Sequence, residues 1–144
     1  HFRSVPSADP HDLTRFVDAQ QGSFEGARAE LRRGRKTSHW MWFIFPQIAG
    51  LGHSAMAQRY AIGSLAEAQT YLAHPVLGPR LRELTEILIA LRQTDARAVF
   101  GDIDAVKFRS SMTLFDAVEP EGVFARALER FFAGQRDPAT LERI

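Results

Sequence analysis

Leu77, Leu81, Leu84, Leu88 and Leu91 recur at four-three-four-three spacing. That is the stripe of one helix face, the periodicity that commits a segment to an amphipathic α-helix packed against a core. Nowhere does the chain alternate at period two for long, and it has no Asn-Gly or Asp-Gly hairpin signal. The expectation is therefore an all-α fold: a single compact multi-helix array of about eight short-to-medium helices joined by short connections.

Helix punctuation fills in the rest. Asp9-Pro10 has an N-cap residue followed by proline at the first helical position, ahead of Leu13, Phe16, Val17 and Gln20 on one face. Ser23 opens a second helix through Phe24, Ala27 and Leu31, which Gly34 ends. Ser54 opens a short helix with Met56 and Tyr60, and Ser64 to Glu67 fits a capping box. Pro75, Gly78 and Pro79 punctuate the bend before the leucine helix. Asp95 caps a short helix ending at Gly101, and Asp104 caps another from Ala105 to about Ala117. Val123, Phe124, Ala127, Leu128, Phe131 and Phe132 share a face stopped by Gly134. Asp137-Pro138 begins a last short helix, with Leu141 and Ile144 facing inward. Residues 1–8 lack periodicity and read as a loose tail, leaving 9–144 as one helical domain.

At 144 residues the chain is long enough to bury a core without metal or disulfide. It has no cysteine, which removes disulfides, thiolate metal sites and cysteine nucleophiles. No apolar run approaches the roughly 20 residues of a membrane span, and no signal peptide opens the chain, so a cytoplasmic protein is expected. A net charge of +1 gives no support for bulk nucleic-acid attraction. Of 18 basic residues only Lys36 and Lys107 are lysine, compact ammonium charges among planar guanidiniums.

Chemistry concentrates in two places. Lys36 to Gln47, KTSHWMWFIFPQ, holds both tryptophans and ends at Pro46. A buried helix from Thr37 or Ser38 to Phe45 is preferred to a strand, because no strand partner is evident elsewhere. As a pocket wall, Trp40 or Trp42 stacks on a flat group, His39 supplies a titratable nitrogen and the candidate acid/base, and Gln47 a two-sided amide. Arg35 and Lys36 face an anionic group. The plainer reading makes Trp40, Phe43 and Phe45 core, with the indole N–H groups bonded to backbone. In the second segment, Lys107, Arg109, Ser110, Ser111 and Thr113 place two cations and three hydroxyls within seven residues, a density helix propensity does not favour. Either they cradle a phosphate or ribose, with Lys107 as point charge, or the serines are small packing residues bonded to backbone carbonyls. Arg80, opposing the dipole at the start of the leucine helix, is a weaker anion candidate. His39, His53 and His74 lack metal-ligand spacing, so neither metal nor cofactor is expected. There is no P-loop, dinucleotide fingerprint or nucleophile elbow.

LTRFVDAQ (13–20), GRKTSHWMWFIFPQIAGLG (34–52), YAI (60–62), YLAHPVLGPRL (71–81) and VKFRSSMTLF (106–115) together resemble the bacterial family known as domain of unknown function 1810, sometimes mislabelled calpastatin. The resemblance runs from about Leu13 to the end of the chain. It implies a compact all-helical domain and no stated activity. A more distant similarity to the NADAR family, small helical proteins acting on ADP-ribose-linked substrates, implies a small anionic, nucleotide-like ligand. The ligand is expected in a pocket shared by the Lys36–Gln47 and Lys107–Thr113 segments, with a small hydrolase, a non-catalytic binding or adaptor domain and a purely structural interaction protein as the three functional classes. No oligomeric state follows from these residues.

Overall fold

The computed structural model describes residues 9–144. The tail expected at 1–8 lies outside the described residues. The fold is all-α: α1 (Thr14–Gln21), α2 (Phe24–Arg32), α3 (Met41–Ile44), α4 (Ala55–Arg59), α5 (Leu65–Ala73), α6 (Leu77–Ile89), α7 (Ala96–Val118), α8 (Val123–Phe132) and α9 (Pro138–Leu141). α7 is the axis, packed by α5, α8 and α9, while α6 packs on α2, α5 and α8. The leucine stripe does what its spacing predicts at Leu77, Leu81, Leu84 and Leu88, which are fully buried, while Leu91 lies beyond the end of α6 and is only partly buried.

Several caps form as read. Ser54 Oγ accepts from Ala57 N, and the Asp95 and Asp137 carboxylates accept from Arg97 N and Thr140 N. Others are displaced. Pro10 begins a turn rather than a helix, and α1 starts four residues later. Asp9 still reaches that start, its carboxylate taking Leu13 N (2.6 Å) and Thr14 N (2.9 Å). In the Ser64 box the serine accepts Glu67 N, but the Glu67 carboxylate turns to Gly63 N (2.9 Å) and to Arg15 (2.8 Å), tying α5 to α1. The chain leaves α8 through a left-handed Ala133 (φ 53°) and then Gly134 (φ 77°), so the stop begins one residue before the glycine. Leu141 and Ile144, expected inward, are exposed: α9 is too short to turn a second apolar residue onto the core, and Thr140 takes the buried place.

Two differences shape the site. The tryptophan segment forms only the four-residue α3. Beyond Pro46, Ile48 makes one parallel bridge with Ile62, through Ile62 N to Gln47 O and Ala49 N to Ile62 O (both 2.8 Å). This is the one β-pairing among the described residues. In α7 the expected gap between two helices shrinks to one residue, Gly101 (φ 81°, ψ 169°), a conformation that favours glycine. The second part thus begins at Asp102, three residues ahead of expectation. At the break, Lys36 N donates to Val99 O (2.8 Å), docking the start of the tryptophan segment on α7.

Aromatic packing completes the join. Phe45 meets Phe108 edge to face (5.2 Å), Phe108 stacks on Phe100 (4.8 Å) and reaches Phe131 (5.8 Å). Each such ring contributes roughly 1.5–3 kcal/mol by burial, plus about 1 kcal/mol for each well-oriented pair. At the α5–α6 bend, Gly78 is more than punctuation. A Cβ there would stand 2.1 Å from the Leu72 carbonyl oxygen, so only glycine admits this crossing.

Candidate functional site

The two tryptophans lie two residues apart on one short turn and meet opposite surroundings. Trp40 is 2% exposed, and its indole N–H donates to Glu30 Oε1 (3.0 Å). The same oxygen accepts Thr37 N (2.7 Å) and Ser38 N (2.9 Å). Burial pushes the Glu30 carboxyl up, but the hydrogen bonds from Ser38, Thr37 and Trp40 outweigh it and hold the group at about 2. A buried carboxylate thus closes the loop between α2 and α3, with the Trp40 N–H bonded to it rather than to backbone. Phe43 and Phe45 are core beside it.

Both lysines converge on one acid. Lys36 Nζ pairs with Asp104 Oδ2 at 2.8 Å, donates to Ser38 O, and sits 5.0 Å from the Trp40 ring centre. Lys107 Nζ stands 3.8 Å from Asp104 Oδ1 and 5.1 Å from the Trp42 ring centre. The Lys36 side chain is 8% exposed and that of Lys107 24%. Asp104 is therefore held mainly by Lys36, and the Lys107 ammonium is the less neutralised of the two.

The Lys107 side opens to solvent. A groove of about 540 Å³ runs between the loop before α4 and the start of the second part of α7, lined by Gln47, Leu51, His53, Ile103, Val106, Lys107 and Ser110, with one acid, Asp137, also on its wall. A smaller recess of about 250 Å³ adjoins it, lined by Trp42, Ile48, Gly50, Gln58 and Tyr60. Gln47, Gly52 and Ala57 wall both. Gly50 (φ 98°) lets the Arg143 guanidinium lie over the backbone: a Cβ at Gly50 would be 2.6 Å from Arg143 Nη1. Of the two segments, Gln47, Lys107 and Ser110 border the larger groove, whereas Trp42 lines the smaller recess beside it.

The remaining expected residues lie elsewhere or are engaged in packing. His39 is exposed beside a separate recess of about 170 Å³ with Ser23, Gly26 and Glu30, away from Lys107. Arg35 is exposed where the chain leaves α2. Arg109 grips the loop before α9, with Nε on Gln135 O (2.8 Å) and Nη2 on Arg136 O (2.7 Å). Thr113 Oγ1 donates to Arg109 O (2.8 Å) and accepts Asp137 N (2.9 Å). Ser110 Oγ bonds Thr140 Oγ1 (3.0 Å) while bordering the groove. Ser111 is fully buried, and its hydroxyl has no partner among the described residues. Arg80 lies over Phe24 (4.8 Å) and reaches Gln20 (3.4 Å), whose amide also bonds Phe43 O and Tyr71 Oη.

Sequence reasoning passed over Asp104, His53, Arg143, Ile103 and Val106 as parts of a site. Asp104 carried a signal, standing three residues before Lys107 on one helix face. Arg143 carried none, because its partner is a backbone at Gly50.

The chain matches, over residues 10–144, the family described as "Protein of unknown function (DUF1810)". Among solved structures it is similar to the conserved hypothetical protein Rv1873 from Mycobacterium tuberculosis, with 46% identity, a TM-score of 0.88, and coverage of 93% of this chain and 96% of that one. No curated protein matches it.

Proposed function

We propose that this chain, which belongs to the DUF1810 family, is a non-catalytic binding domain for a small anionic, nucleotide-like ligand. The ligand would sit in the groove between the loop before α4 and α7. The observation that carries the reading is Lys107, an ammonium left partly unneutralised by Asp104, stacked on Trp42 at the wall of an open site. Such a group offers an anion a charge, while the indole and the Gln47 amide offer a flat group a surface and a polar edge. An ADP-ribose or nucleotide is the ligand class this suits.

The reading assigns no acid/base step. His39 lies by the Glu30 recess, apart from the groove, and among the described residues the groups with clearly shifted proton affinity (Glu30, Asp9 and Tyr71) stand outside it. A cytoplasmic setting belongs to the same proposal. Among the described residues no helix is long and apolar enough to cross a membrane.

Titration with AMP and ADP-ribose, followed by tryptophan fluorescence, tests it. Saturable quenching that disappears in Trp42→Phe and weakens at least tenfold in Lys107→Gln is expected, with the ligand recovered intact by chromatography. Absence of any saturable change at millimolar ligand would end the binding reading, and turnover of the ligand would end the non-catalytic one.

A further inference from the structure

Ile103 and Val106 are the two most exposed large apolar side chains among the described residues, at 75% and 63%. They stand one helical turn apart at the start of the second part of α7, and both wall the larger compartment of the groove. Leu51, Ala57 and Ala139 extend that apolar wall, and Ser54, Ser110 and Asp137 give the same compartment a polar margin. Scattered exposed aliphatics need no explanation, but two on one turn, facing a recess of ligand size beside a cation, form a composite site. The other two exposed large hydrophobics, Leu141 and Ile144, belong to the C-terminal segment whose Ala139 lines the same wall.

We propose that this compartment is a subsite for an aliphatic chain, so that the ligand is a soluble amphiphile: an alkyl or acyl group joined to an anion held at Lys107. The inference rests on the binding reading above and extends it from an anion-and-ring site to an anion-and-chain site. Charge and shape argue together. Lys107 borders the aliphatic compartment and stacks on Trp42 of the smaller recess, so it stands where the two compartments adjoin. An anion there points one substituent toward Trp42 and Gln47 and the other along Leu51, Val106 and Ile103. A ligand bearing only charge leaves the aliphatic wall in water. A chain covers it, at roughly three- to fourfold in affinity for each methylene fully removed from water.

Isothermal titration with methyl, butyl and hexyl phosphate, all monomeric in solution, tests this. Affinity is expected to rise at least about tenfold from methyl to hexyl. In the Ile103→Ser/Val106→Ser double variant the rise along the series should vanish. Both positions are exposed, so an unchanged melting curve is expected and separates lost binding from lost fold. Methyl phosphate binding with no gain along the series overturns the chain subsite and leaves the binding domain standing. No binding by any member, with no response to nucleotides either, overturns both. A chain-length gain that survives in the double variant overturns the assignment to this wall.

Discussion

Trp40 and Trp42 share a helical turn, each lies under a lysine ammonium, and both ammoniums lean on Asp104, yet the two surroundings differ in every other respect. At Trp40 the indole N–H is bonded, the lysine is buried against its acid, and Glu30 gathers three donors on one oxygen. At Trp42 the ring is half-buried, the lysine is a full ångström farther from Asp104, and the surroundings open into a groove. The same pair of residue types is thus a structural clasp on one side and a candidate site on the other. What separates them is whether the polar atoms already have partners within the protein.

That contrast is breakable by mutation. Trp40→Ala should cost about 4 kcal/mol, as for other buried aromatics. Trp42→Ala should cost less than half of that and lose ligand binding instead; urea unfolding beside fluorescence-free calorimetry reads both. Equal destabilisation by the two variants would erase the distinction.

Next in size is Glu30. Its carboxyl is held at about 2 in the folded chain against an ordinary value of 4.5. A depressed value means the carboxylate stabilises the fold fully above about pH 4.5 and ceases to as pH falls toward 2. The contribution is on the order of 3 kcal/mol. Glu30→Gln should be less stable at neutral pH and should lose less than the parent between pH 5 and pH 2.5, measured as urea midpoints against pH.

Asp104→Asn sharpens the comparison by touching both sides. Removing the shared acid leaves Lys36 without its counter-charge, its ammonium still bonded to Ser38 O, for about 1.5–3 kcal/mol of lost stability. It also frees Lys107, so anion affinity should rise about threefold. The smallest stability effect belongs to Lys107→Gln, within about 0.5 kcal/mol as for other positions outside the core. Its anion binding should fall at least tenfold and lose its dependence on salt.

How far the sequence carries toward this picture depends on the range of the interaction. The leucine helix, the Ser54, Asp95 and Asp137 caps and the stop near Gly134 are local, and periodicity or spacing announces them. Glu30 is not legible, because its three donors come from residues seven to ten positions later across a loop. The choice between Trp40 and Trp42 is likewise hidden. Their i, i+2 spacing puts them on different sides of a turn, and the packing of α2 and α7 around that turn decides which side is closed. The hydroxyls of Arg109–Thr113 illustrate the opposite case. Their density marks a demand for polar partners within a buried stretch, and Ser110 and Thr113 spend that capacity on α9 and the loop before it. Ser111, buried with its hydroxyl unpartnered among the described residues, has no physical account in the fold.

With lysine confined to positions 36 and 107, the protein carries its own site-selective label. Amine-reactive acylating reagents need a free, accessible nitrogen, and the ammonium locked between Asp104 and Ser38 offers little. Among side chains, modification should fall almost wholly on the groove lysine. Its rate, followed by intact mass, becomes a direct count of how often that groove is filled.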